Sequence, residues 1–513
     1  MRLTHKAALA AVILASATVF LDGAIINIAL PRLGRELPTV GIGILEGQVY
    51  VVAGYMAALA AFLLPGGALG DTYGRRRAYL VGLAGFGIAS IACGLAPTLD
   101  FLVVARLVQG IAGAILIPGT LAIITSLYDG PERTRAFGIW TTATSGILVV
   151  GPTLGGILVE TFGWRSIFLV NVPLIALATV MAYRAIPDLL PDGPRRRFDS
   201  LGALTAAVAI GGLTFGAIRG QQTSWQQPAA VGALVLGTLA LILFPILMNR
   251  RRDPLVPLGL FRNRTFSAVN LSTLLVYGAL YLVLYLQSLF LQGVAGYSPL
   301  GAALAGLPQG LALVLLSARA GTLAIRHGVR PFLIGGPFLM SAGTLLWLRV
   351  TPSSTPWLAS LTDLPSLVPP GAFLSDVLPA TVVFALGLSA FVVPLTTTLM
   401  ASVPVDRSGL GSAINNALSR VGQPLFSAVA FILLTERFYA SLASQVPGLD
   451  RFSPALRTAI QPLNSPGAGV DPALIAAAAS ASADAFHATV IGAAVLLMLG
   501  AAVNARGVRA EKA

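Results

Sequence analysis

The stretch GALGDTYGRRRAYLVG (67–82) sets a lone aspartate, Asp71, and three consecutive arginines, Arg75 to Arg77, between two long apolar runs. Gly67 and Gly74 permit a tight turn and a close approach of its flanks. The stretch therefore reads as a short polar turn joining two apolar helices, and what surrounds those helices follows from composition.

The chain has 513 residues, of which 56% are hydrophobic and only 10% charged, and its mean hydropathy is +0.83. A soluble protein carries about 25% charged residues, so lipid is the solvent here. A bilayer span takes roughly 20 mostly apolar residues. Such spans are expected at 8–30, 48–69, 78–95, 101–127, 137–159, 166–183 and 201–218, and again at 228–248, 266–291, 300–316, 331–348, 377–400, 412–434 and 485–508. That is about fourteen helices, with 166–183 and 300–316 the weakest. Two longer polar interruptions, 351–376 and 436–484, are rich in Pro, Ser, Ala and Gly and read as surface loops with short interfacial helices.

The arginines have a rhythm. Arg2 with Lys6, Arg75 to Arg77, Arg133 and Arg135, Arg184 with Arg195 to Arg197, and Arg250 to Arg252 with Arg262 and Arg264 fall in alternate loops. Arg319, Arg326 and Arg330, then Arg407, then Arg506, Arg509 and Lys512 continue the alternation. The intervening loops hold only scattered ones, such as Arg32, Arg165, Arg219 and Arg457. By the positive-inside rule the first set is cytoplasmic, and an even helix count then puts both termini in the cytoplasm. The net charge of +13 is topogenic, not a nucleic-acid footprint, and no nucleic-acid motif accompanies it.

Arg2 and Lys6 before an apolar run ending in Ala15-Ser16-Ala17 look like a signal peptide, but cleavage would destroy a full helix and reverse every later arginine loop. Cys93 is the one cysteine, inside an apolar span, so neither a disulfide framework nor a thiol metal site is expected. The three histidines, His5, His327 and His487, are scattered, and no Walker sequence is present. No cofactor or metal is expected, and enzyme chemistry is disfavoured. The preponderance of arginine over lysine is associated with GC-rich bacterial genomes, which places the expected home in a bacterial inner membrane.

The opening stretch recurs. Gly67, Leu69, Gly74 and Arg76 align without gaps on Gly321, Leu323, Gly328 and Arg330, and Gly138 with Gly151 matches Gly409 with Gly422 at equal spacing. Two homologous halves are implied, a hallmark of secondary transporters.

Gly67-x-Leu69-x-Asp71-x-x-Gly74-Arg75-Arg76 resembles the loop signature of the major facilitator superfamily, and Arg106-x-x-Gln109-Gly110-x-x-Gly113-Ala114 is similar to its fourth-helix signature. Gly151-Pro152-x-x-Gly155-Gly156 resembles the fifth-helix motif associated with antiporters, and Leu21-Asp22 through Asn27 to Pro31 looks like the first-helix motif of the drug:proton antiporters with fourteen helices. The resemblance implies an all-α polytopic protein with the major facilitator fold: a six-helix bundle in 1–186, a connector with two additional helices in 187–265, and a second six-helix bundle in 266–513. It implies proton-coupled efflux of amphipathic drugs, dyes or antibiotics by a monomer, with a proton-coupled nutrient importer on the same fold as the other reading. The chain departs from the branch at Tyr50, Gly23 and Ala24, and in having no carboxylate in the tenth span, so the resemblance does not extend to cationic-drug specificity.

Within this frame the candidate residues fall into three sets. Asp22 and Arg106 are proton-coupling candidates, because an ionisable group deep in a span costs at least about 2.5 to 3.5 kcal/mol and removal from water favours the protonated form of a carboxylate. The structural alternative for Asp22 is a hydrogen bond to Asn27 or to backbone, and the rival carriers Glu46 and Asp484 lie at the rim. Gln109 lies one turn from Arg106 on the same helix face, and with Asn27, Tyr55, Trp140, Tyr277, Tyr281 and Gln287 it is expected on the substrate cavity. Gly67, Asp71, Gly74, Arg75, Arg76, Gly151, Pro152, Gly155 and Gly156 are expected to gate conformation. Their bland readings are topology for the arginines and small-residue packing for the glycines. Arg420, in the thirteenth span, is a third charge within the membrane, read either as snorkelling or as functional. One proton yields about 2.3 kcal/mol per 100 mV, enough to hold a substrate gradient on the order of a hundredfold.

Overall fold

A computed structural model describes residues 3–188, 199–251, 254–403, 408–466 and 470–508. The expectations for Arg2, Arg195 to Arg197, Arg252, Arg407, Arg509 and Lys512 lie outside these residues. The helices are α1 (Leu3–Glu36), α2 (Ile44–Tyr73), α3 (Arg75–Gly94), α4 (Leu99–Leu127), α5 (Gly130–Phe162), α6 (Ser166–Leu169), α7 (Asn171–Ala185) and α8 (Ser200–Gln222). They continue as α9 (Pro228–Arg250), α10 (Arg264–Gly293), α11 (Pro299–His327), α12 (Arg330–Leu346), α13 (Leu378–Ala401), α14 (Ser408–Gln445), α15 (Pro454–Ala459) and α16 (Pro472–Gly507). Among the described residues thirteen helices are long and apolar enough to cross a membrane, α6 and α7 counting as one, and Val150–Phe162 of α5 adds a shorter apolar segment. These match the fourteen expected spans.

Local chemistry sets the ends. Thr98, Asp199, Ser298 and Asp471 accept hydrogen bonds from the first-turn N–H groups of α4, α8, α11 and α16, which have no partner within the helix. Pro173 has no N–H to offer the carbonyl of Leu169, and the sixth span breaks there into α6 and α7. Side chains such as Val81, Ile88, Val104, Leu236 and Ile242 are more than half exposed, which marks them as lipid-facing on α3, α4 and α9.

The stretch 436–484 corrects the sequence reading. α14 has 38 residues, about 57 Å at 1.5 Å per residue, against a hydrocarbon core of about 30 Å. Both α14 and α16 run past the membrane, and only 446–471 lies between them, carrying α15. Alanine- and serine-rich helix beyond the bilayer loses its apolar signal while remaining helix.

The packing repeats. α1 packs on α5 and α7, α2 on α4, and α3 on α4 and α7; in the same order α10 packs on α14 and α16, α11 on α13, and α12 on α13 and α16. The opening turn is duplicated in atomic detail. Gly74 (φ 95°) and Gly328 (φ 83°) both adopt the left-handed backbone that favours glycine. Arg76 then donates to the Tyr183 carbonyl at 2.6 Å and Arg330 to the Ala505 carbonyl at 2.8 Å. Each arginine thereby caps the last spanning helix of its own group.

The two groups meet through α5 against α11, α2 against α14, and α1 against α10. The additional pair, α8 and α9, is joined by close backbone approach at Gly212, Gly216 and Gly237. Of the two, α8 reaches the groups, packing on both α2 and α14, where Tyr50 stacks on Phe215 and Arg219 pairs with Glu46 at 3.0 Å.

Candidate functional site

A cavity of about 2220 Å³ lies between the groups. Its wall runs from Asn27 and Gln287, in the last third of α1 and α10, to Gly70, Arg75 and Thr125 at helix ends and Leu255 in the connection between α9 and α10, all on the arginine-rich face. The cavity therefore opens on that face. Asn27, Tyr55, Trp140, Tyr277, Tyr281 and Gln287 all line it, and so do Gly67 and Pro152.

The opposite face is closed by side chains that link the groups. Gln48 and Asn464 exchange hydrogen bonds of 2.9 and 3.0 Å, and Gln461 accepts from the Leu45 N–H at 2.7 Å. Deeper, Ser288 donates to the Asn27 carbonyl at 2.7 Å and Gln292 to that of Ile28 at 3.0 Å. All these bonds must break for the cavity to open the other way. In a Cys93→Ser background, a short bifunctional thiol reagent joining Gln48→Cys to Asn464→Cys should reduce transport to background while leaving substrate binding from the arginine-rich face intact. Full transport with complete crosslinking would mean that this face does not open.

Asp22 sits beside the cavity but is sealed from it, at 1% exposure. Oδ2 accepts from Arg106 Nη1 at 2.5 Å, and Oδ1 accepts from Gln109 Nε2 at 3.1 Å and from Asn171 Nδ2 at 2.9 Å. Arg106 also donates to Gln109 Oε1 at 2.6 Å and to the Val51 carbonyl at 3.1 Å, while Gln109 donates to Ser90 at 3.0 Å. The Arg106 guanidinium lies 4.0 Å from the centre of the Tyr55 ring, and Tyr55 is the partition between it and the cavity. Every partner of the carboxylate is a donor, so the cluster suits the ionised aspartate, and removing either charge would leave the other buried without compensation.

Two expectations are corrected here. Gln109 is fully buried within the cluster and does not line the cavity. Asp22 is held by Arg106, Gln109 and Asn171 and not by Asn27, whose Oδ1 has no partner. Glu46, expected at the rim, is also fully buried. Asn171 and Ser90 were missed as members of the cluster; the charge on Asp22, which demands several donors, was the signal that such residues had to exist.

Among the gating candidates, Arg75 donates to the Ala122 carbonyl at 3.2 Å and to the Ser126 hydroxyl, which ties the start of α3 to α4. A side chain on Gly67 would touch Pro118 of α4 at 3.4 Å. Asp71 lies in the last turn of α2, and its side chain is outside the described part. A Cβ on Gly151 or Gly155 would meet Ala24 or Ile25 of α1 at 2.9 Å, whereas one on Gly156 would meet Ala303 of α11 at 2.7 Å. Gly156 is thus the member of the motif that crosses between groups.

Two repeated helical groups, a large cavity between them and an ion pair buried beside it define a secondary transporter of the alternating-access type. The chain belongs to the Major Facilitator Superfamily, whose sequence profile matches residues 12–427. It is accordingly a multi-pass membrane transporter and not an enzyme. It is 34% identical over 437 residues to the multidrug resistance protein Stp of Mycobacterium tuberculosis (strain ATCC 25618 / H37Rv), covering 85% of this chain and 76% of that protein. It is 32% identical over 441 residues to the puromycin resistance protein pur8 of Streptomyces alboniger, covering 85% and 83%. Its fold is similar to a bacterial homologue of the human lysosomal transporter Spinster in an inward-facing, unoccupied conformation, with a TM-score of 0.63, 19% identity and 98% of each chain covered.

Proposed function

We propose that this protein is a proton-coupled exporter of amphipathic small molecules, with drugs, dyes or antibiotics as its substrates. Relatives named for multidrug and puromycin resistance support export over uptake. The observation that carries proton coupling is the sealed carboxylate of Asp22, surrounded by donors alone and separated from the cavity by Tyr55. A proton arriving on either oxygen of Asp22 sets an O–H against an N–H donor, so protonation must displace Arg106 or the two amides. Loss of the pair frees Arg106 and loosens α1 from α4, which links the proton to the packing of the N-terminal group. The cavity opens on the arginine-rich face, which the positive-inside rule makes cytoplasmic. An ionised, paired Asp22 in that state fits an antiporter that has released its proton inward and is ready for substrate.

In this reading the N-terminal group (1–186) and the C-terminal group (266–513) rock about the cavity, with the pair in 187–265 clasping them through α8. The protein works as a monomer in the bacterial inner membrane, with both termini cytoplasmic. The turn at Asp71, Gly74, Arg75 and Arg76 closes the cytoplasmic side in the opposite state, and Gly151, Pro152, Gly155 and Gly156 provide the surface on which α5 moves.

The test uses inside-out vesicles energised to pump protons inward. Uptake of an amphipathic dye should rise with the pH gradient and collapse on adding a protonophore. Uptake that persists without a gradient would make the protein a passive conduit, and accumulation only in the right-side-out orientation would make it an importer.

A further inference from the structure

The membrane-embedded charges of this chain differ in one respect. Arg106 is matched by Asp22 and surrounded by carbonyl and amide acceptors. Arg420, on α14, is 8% exposed and lines the cavity, yet no acidic group lies within ion-pairing distance of it among the described residues. Its Nε has no hydrogen-bond partner. Among the described residues its guanidinium meets the Met56 sulfur at 3.9 Å from Nη1 and the Phe20 ring centre at 5.9 Å, with the Tyr55 and Tyr277 hydroxyls close enough to feel its charge. The other charged side chains on the described cavity wall are Arg75 and Asp199. Both sit at helix ends near the mouth, and Asp199 is occupied by the Gly202 and Leu255 N–H groups and faces Arg251 at 3.7 Å. The depth of the cavity thus holds an arginine and no described carboxylate.

We propose that Arg420 is the anchor for an anionic group on the substrate, and that the cavity takes amphipathic weak acids: a carboxylate, phenolate or enolate joined to an aromatic body. This rests on the export reading above and narrows it. A buried cation without an anion is costly, and a ligand that supplies the missing charge recovers that cost on binding. Even when the cavity holds water, its apolar walls concentrate the field of Arg420, which attracts anions and repels cations. The surroundings suit the rest of such a molecule. Asn416 and Ser419 precede Arg420 by four residues and by one on the cavity side of α14, Tyr277 and Tyr281 face it from α10, and Trp140 presents an unpartnered Nε1–H. The donors left free here, Arg420 Nε and Trp140 Nε1, both call for an acceptor.

Charge also enters the transport cycle. With one proton entering per substrate leaving, export of a monoanion moves two positive charges inward, whereas export of a monocation moves none. The membrane potential should therefore accelerate the first and leave the second unchanged.

The experiment uses the purified full chain with two dyes that share a fluorophore, dansylglycine (anionic) and dansylcholine (cationic). Binding is followed by fluorescence enhancement, and proton-driven transport is followed in proteoliposomes with and without an imposed potential. The wild type should bind dansylglycine at least tenfold more tightly than dansylcholine and move it faster when the potential is applied. Arg420→Gln should weaken dansylglycine binding at least tenfold while leaving dansylcholine unchanged or tighter. Arg420→Lys keeps the charge and should retain most of the preference, which separates recognition from misfolding. If the wild type binds the cation as well as the anion, or Arg420→Gln changes anion binding by less than twofold, the proposal is wrong; proton-driven transport of dansylcholine in that case would leave the export reading standing. If neither dye is bound or moved, both readings fall.

Discussion

Asp22→Asn should abolish proton-driven accumulation, bringing a substrate gradient on the order of a hundredfold down to equality, while the protein still inserts and still exchanges substrate across the membrane. The substitution keeps the volume and one acceptor oxygen, so Arg106 retains a partner at the position of Oδ2. The new amide nitrogen then occupies the position of Oδ1, facing the Asn171 amide, whose own Oδ1 is buried without a partner and can turn to accept from it. Gln109 Nε2, the other donor to Oδ1, must turn away and Arg106 loses its counter-charge, so the variant resembles the protonated state of the site, kept in volume but no longer able to titrate. Rocking needs no proton, so exchange persists where coupling does not. Asp22→Glu keeps the carboxyl group but adds a methylene to a site with no room, which should leave partial activity with a shifted pH optimum. Substrate-induced proton movement in proteoliposomes, read with a pH-sensitive dye, decides the matter. Full coupling in Asp22→Asn would move the carrier elsewhere, with Glu46 and Asp484 next in line. Both already have partners: Glu46 accepts from Arg219 at 3.0 Å and Asp484 from Ser441 at 2.5 Å.

What the sequence makes legible follows the range of the physics involved. The spans and the arginine rhythm are local consequences of lipid and water, and the spans match the helices. The repeat is readable from four matched positions in the turn, and its strongest confirmation, the parallel caps made by Arg76 and Arg330, rests on one of those four. Polar contacts across long separations were not legible. Asn171 reaches Asp22 over 149 residues, and Gln48 meets Asn464 over 416. An amide in a membrane helix has the same one-letter signature whether it lines a cavity, as Gln287 does, or completes a buried cluster, as Gln109 does. The outer parts of α14 and α16 were lost for a different reason. Outside the bilayer a helix no longer has to be apolar, so hydropathy cannot distinguish it from a loop.

Gly156→Val should cost roughly five- to a hundredfold in transport rate by forcing apart the helices α5 and α11 on the far side of the cavity. A Cβ at Gly156 would lie 2.7 Å from the Ala303 Cβ, 3.1 Å from the Leu300 Cα and 3.2 Å from the Pro299 carbonyl oxygen. Two of those three are backbone atoms, which cannot rotate away, and Ala303 has no longer side chain to rearrange. The first turns of α11 must therefore move off α5. Overpacking of this kind costs about 1–3 kcal/mol, and about 1.4 kcal/mol shifts a two-state balance tenfold. In the rocking motion proposed above the two groups part on the far side, so this contact is lost in the opposite state, the cost falls on the inward-open state and the population shifts outward. Gly155→Val provides the contrast: its clash, 2.9 Å from the Ile25 Cβ, lies within the N-terminal group in both states, so it should lower thermal stability without biasing the cycle. The bias is measurable with Asn464→Cys, since the native Cys93 is buried. An impermeant maleimide added outside should label that position several-fold faster in the Gly156→Val background and at the wild-type rate in the Gly155→Val background. Equal labelling in the two backgrounds would reduce the close approach at Gly156 to ordinary packing and remove α5 from the gate.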